Sequence, residues 1–116
     1  MDICVDGLRC EARDALGAES VTCACKRLFP PACRGLLIPQ RPAVLATRAC
    51  SLFDKASIPS RQSGRQFVRG AKLMRRAATA IGRVGKNGRL AQTCATDLVR
   101  RLTDAHDRAE RQADVR

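Results

Sequence analysis

Seven cysteines (Cys4, Cys10, Cys23, Cys25, Cys33, Cys50 and Cys94) and a single histidine, His106, are the residues best suited to chemistry. Cys23-x-Cys25 with Cys33 and Cys50 could offer four thiolates to zinc. Zinc sites use paired C-x₂₋₄-C knuckles with a second pair further on, and this chain has none. The cysteines therefore read as small apolar thiols, and no metal or cofactor is expected. A Cys–His nucleophile pair is formally available, yet no thiol sits in a glycine-turn or oxyanion-hole context. His106, between Asp104 and Asp107, reads as a solvent-facing helix residue. Gly85-Lys86-Asn87 resembles the end of a phosphate-binding loop, but Ala80 stands where that loop needs glycine and Asn87 where it needs Ser or Thr. The acids are scattered, so no carboxylate dyad presents itself. No enzyme and no small-molecule substrate are expected.

The remaining chemistry is electrostatic. Lys55 to Thr96 holds ten Lys/Arg and no acid, whereas residues 1–54 carry seven cations against six acids and residues 97–116 five against five. Nearly all of the formal net charge of +11 is therefore confined to one window. Segregation this sharp marks a surface for polyanions. The candidate binding residues are Arg65, Arg69, Lys72, Arg75, Arg76, Arg83, Lys86 and Arg89. They would neutralise phosphates of DNA or RNA, and five or six contacts imply a log K against log salt slope of about −5 on a duplex. Base reading is poorly provided for, with only Gln62, Gln66, Asn87 and Gln92 as amide readers. No interleaved aromatics offer a stacking platform.

A helix must carry that stripe. Ser63-Gly64-Arg65-Gln66 has the form of a capping box, and from Gln66 to about Gly82 good helix formers run without proline. Phe67, Ala71, Met74, Ala78 and Ile81 share one face; Arg65, Arg69, Lys72, Arg76 and Arg83 share the opposite one. The cationic side is roughly 27 Å long. A solvated face on an ordinary bundle helix would carry mixed charge, which this one does not. The same amphipathic pattern admits a second reading, a peripheral helix on an anionic membrane surface or in a partner's groove. A third reading involves no evolved function, as in a fragment or an orphan reading frame. Abundant Arg, Ala and Cys without Tyr or Trp is what GC-rich codons give without selection for a core.

Around this helix the chain reads as mainly α. A short helix is expected over 2–16, and Val21–Cys25 fits a strand or a helical turn. The proline-bearing stretch from Pro30 to Pro42 reads as irregular, with Leu36-Leu37-Ile38 as a packing plug. Residues 42–56 read as a helix with Leu45, Ala49, Leu52, Phe53 and Ala56 on one side, and Ser57–Gly64 as a tight loop. The glycines of 82–88 end the basic helix. A last helix over 89–113 places Ala91, Cys94, Leu98, Leu102, Ala105 and Ala109 inside, with Asp97–Arg101, Asp104–Arg108 and Asp107–Arg111 pairs outside. The connection is too long for a helix-turn-helix, so an antiparallel helical hairpin is expected. The division is an irregular/helical Cys/Pro-containing region with thiols over 1–62, whose composition leaves room for partial disorder, and a basic helical hairpin over 63–116.

Leu, Ile, Val and Phe together number 25 of 116 residues, so any core is light. The longest apolar runs are far short of the ~18 residues that span a bilayer. The acidic beginning, MDICVDGLRCEARD, lacks the marks of a secretory signal. Seven cysteines without such a signal are expected to remain thiols in a reducing, cytoplasmic setting.

Overall fold

The computed structural model describes residues 18–115, and the helix expected over 2–16 lies outside them. Among the described residues the chain is mainly helical and has no strand. Helix α1 spans Ala18–Lys26, settling Val21–Cys25 as helix, and a 3-10 turn covers Pro31–Cys33. Helix α2 spans Gln40–Ala56, α3 Ser63–Lys86 and α4 Gln92–Val115. Helix α3 packs against α2 on one flank and α4 on the other, and α1 bridges α4 and α2. The short links over 57–62 and 87–91 make α2, α3 and α4 successively antiparallel.

The start of α3 departs from the capping box. Ser63 is the first helical residue and is fully buried. Its hydroxyl donates to the Ile58 carbonyl (3.1 Å) and accepts from the Ser60 N–H (3.0 Å), so it cannot reach the Gln66 N–H. That N–H goes to the Gln62 carbonyl instead, at 2.9 Å. The serine thus folds the preceding loop rather than capping the helix. At the other end, α3 runs a full turn past Gly82. It closes at Asn87 with Gly88 at φ 78°, where the Arg89 N–H meets the Val84 carbonyl at 3.0 Å and the Gly88 N–H the Gly85 carbonyl at 3.2 Å. Only a residue free to take positive φ closes a helix this way.

Two other glycines serve packing. A Cβ at Gly70 would run into the Phe53 ring, and one at Gly85 would lie 2.6 Å from Ala95 Cβ. Each lets a neighbouring helix approach closely. Phe53 and Phe67 stack with centroids 6.2 Å apart, where α2 meets α3. Phe67, Ala71, Met74, Ala78 and Ile81 are all buried, as the periodicity implies. So are Cys94, Leu98, Leu102, Ala105 and Ala109, whereas Ala91 is exposed in the turn. One core joins α1 and α2 to the hairpin, and ten of its twenty-one buried apolar residues are alanines. Alanine lets helices come close but buries little area per residue.

Three expectations need correction. Leu37 is 94% exposed and Leu36 41%, so the Leu36-Leu37-Ile38 segment is no plug; only Ile38 packs against the core. The five cysteines among the described residues are not free thiols: Cys25 is bonded to Cys50 and Cys33 to Cys94, and Cys23 is disulfide-bonded as well. These bonds tie α1 to α2 and the 3-10 turn to the first turn of α4, two joints where a light core needs support. Disulfides persist in oxidising settings, which removes the argument that thiols made for a reducing one. Of the three expected ion pairs on α4, only Asp104–Arg108 forms, at 3.0 Å. Asp97 pairs with Arg100 instead (3.3 Å) and Asp107 with His106 (3.0 Å).

A candidate nucleic-acid interface on helix α3

All eight candidate cations, together with Lys55 and Arg61, are exposed. Arg65, Arg69, Lys72, Arg76 and Arg83 run down the outer face of α3, directly opposite the buried Phe67–Ile81 stripe. Arg75 and Lys86 lie on its α4 side, and Arg89 extends the surface into the turn. Among the described residues none of these side chains has an ion pair or hydrogen bond. The nearest acid in sequence, Asp54, lies on α2.

The arginines of α4 behave differently, and the contrast separates scaffold from surface. Arg101 donates to the Arg27 carbonyl at 2.8 Å, and Arg108 to the Ser20 carbonyl at 3.3 Å while also pairing with Asp104. They strap α1 onto α4. The cleft of about 320 Å³ between these helices has Arg27, Arg100, Arg101 and Arg108 in its wall, but Asp97 and Asp104 offset part of that charge. On the outer face of α3 no carboxylate of the described residues pairs with the cations; Arg75, on the α4 side, shares a hollow with Asp107 without pairing to it.

Of the four amide readers, Gln62, Asn87 and Gln92 are exposed. Gln92 donates to the Thr96 hydroxyl at 3.4 Å. Gln66 is half-buried, with its side-chain carbonyl enclosed and unpartnered, so it is poorly placed to read a base. The ridge meets phosphates far better than base edges.

His106 is not solvent-facing as its acidic neighbours imply; its side chain is only 14% exposed, between Asp107 (3.0 Å) and Glu110 (3.4 Å). These three residues bring ligand atoms within 4.8 Å of one another. Both carboxylates are exposed, and such groups are common on helix surfaces without an ion. The four cysteines considered as zinc ligands are all held in disulfides. No helix among the described residues is long and apolar enough to cross a membrane. No protein family model, no curated protein and no solved structure matches this chain.

Proposed function

We propose that this protein binds nucleic acid through its phosphate backbone, without enzymatic activity of its own, using the outer face of α3 as the docking surface. One observation carries the reading: five cations share a face roughly 27 Å long, all exposed, and none pairs with a carboxylate among the described residues. Like charges crowded on one helix face repel, and a chain of phosphates relieves that repulsion while releasing its condensed counterions. The length corresponds to roughly eight base pairs of duplex at 3.4 Å each. Contacts of this kind position a protein on a duplex without reading sequence.

The competing use of the same helix, with Phe67, Met74 and Ile81 laid into a headgroup layer or a partner's groove, is disfavoured by their burial. Those residues are 0%, 0% and 1% exposed, and freeing them would dismantle the core. Titration of the full chain against a labelled duplex and against anionic vesicles over a range of salt tests the proposal. Duplex binding that weakens steeply with salt supports it. Binding to vesicles alone, or to neither, refutes it.

A further inference from the structure

We infer that the phosphate-binding surface has a second rail on α2, so that Arg41, Arg48 and Lys55 flank the outer α2–α3 groove level with Arg83, Arg76 and Arg69, as three rungs of a ladder. This rests on the nucleic-acid reading of α3 and adds residues outside the exposed face of that helix.

Three observations carry it. The first is spacing. Arg41, Arg48 and Lys55 recur every seven residues, as do Arg69, Arg76 and Arg83, and all six are exposed. Seven residues are close to two helical turns, so each set forms one row with rungs about 10.5 Å apart.

The second is register. Helices α2 and α3 are antiparallel, and Phe53 meets Gly70. Counting outwards from that contact in opposite directions puts position 55 level with 68, 48 with 75 and 41 with 82. In each case the cation on α3 is one residue further on.

The third is the order of side chains around α2. Cys50 faces α1, to which it is bonded, and Phe53 faces α3. At about 100° per residue, continuing in the same sense from Cys50 through Phe53 leads to the half-buried Leu45 and Leu52 and then to the cationic row. Arg41, Arg48 and Lys55 therefore flank the groove on its α3 side. Asp54 falls on the other side, toward α1, so the one acid between Ser20 and Thr96 stays off the track.

Two cationic rows on adjacent helices, with no acid of the described residues between them, repel unless an anion lies over them. The rung spacing of about 10.5 Å matches three steps of a DNA strand at 3.4 Å each. One strand of a duplex running along the groove would meet a rung at every third phosphate. Three further contacts at about 0.9 each steepen the salt slope from about −5 to about −8.

The test is fluorescence anisotropy of a labelled duplex with the full chain across a salt series, using three proteins. These are the wild type, an α2 variant (Arg41→Gln, Arg48→Gln, Lys55→Gln) and an α3 variant (Arg69→Gln, Arg76→Gln, Arg83→Gln). Each altered side chain is exposed, and a thermal melt confirms that the variants fold. The expected result is a wild-type slope near −8 that falls by about 3 in either variant. A slope unchanged in the α2 variant but reduced in the α3 variant overturns the second rail and leaves the α3 ridge standing. A wild-type protein that does not bind the duplex overturns both.

Discussion

Gly70→Ala and Gly82→Ala make the same chemical change on the same helix, and the structure assigns them opposite signs. In an unpacked helix, replacing glycine by alanine gains about 0.5–1 kcal/mol, because the unfolded glycine has more freedom to lose. At Gly82 a Cβ meets nothing within 4 Å, so the whole gain is expected. At Gly70 the new methyl strikes the Phe53 ring, which is fully buried and stacked on Phe67. The ring has no solvent side to swing into, and overpacking of this kind costs about 1–3 kcal/mol. Because the methyl would overlap three atoms of a ring that cannot move aside, the cost falls toward the upper end of that range and exceeds the propensity gain, leaving a net loss of about 1–2.5 kcal/mol. For a chain of this size 1 kcal/mol moves the melting temperature by about 4 °C. Gly82→Ala should therefore melt a few degrees above the wild type and Gly70→Ala several degrees below, as read by circular dichroism on oxidised protein. Adding Phe53→Leu to Gly70→Ala should recover part of the loss, a favourable coupling of about 0.5–3 kcal/mol. Equal or greater stability of Gly70→Ala would refute the α2–α3 packing, and with it the register assigned to the cationic rows.

Phe67→Ala, which empties a fully buried site, should cost about 3–5 kcal/mol in urea unfolding, whereas Leu37→Ser, at a 94% exposed position, should stay within about 0.5 kcal/mol of the wild type. Removing the Cys33–Cys94 bond with a double Cys→Ala change should cost about 4 kcal/mol by loop entropy over its separation of 61 residues. Thermal melts of the oxidised wild type and the double variant would show it. Arg69→Gln with Arg76→Gln should leave stability unchanged or slightly raised, since neither side chain pairs with a described residue and both crowd Lys72 at i,i+3 and i,i+4 spacing. A cooperative thermal transition is expected for the whole chain, and its absence would favour the reading of a sequence without an evolved fold.

The helices were legible because the apolar period was long and unbroken. Phe67 to Ile81 and Cys94 to Ala109 each repeat at three- and four-residue intervals, which only a helix turns into one face. The cationic face was legible for the same reason. Helix ends were less so, because capping residues have competing partners: Ser63 is used by the loop before it, and Gly82 and Gly85 sit inside α3 rather than ending it. The role of Gly85 depends on Ala95, which arrives from another helix. Cysteine pairing could not be read either, since 25–50 and 33–94 are set by tertiary proximity. The same holds for the arginine straps, where Arg101 and Arg108 reach carbonyls more than seventy residues away. The row on α2 carries a sequence signal, the seven-residue spacing of Arg41, Arg48 and Lys55. It gains meaning only once α2 lies beside α3.

The account stands most directly on the salt dependence of duplex binding by the full oxidised chain. It predicts association whose log K falls linearly with log salt at a slope of at least −5 in magnitude, largely indifferent to base sequence. A chain that folds yet shows no association with duplex at low salt, or an affinity insensitive to salt, contradicts it.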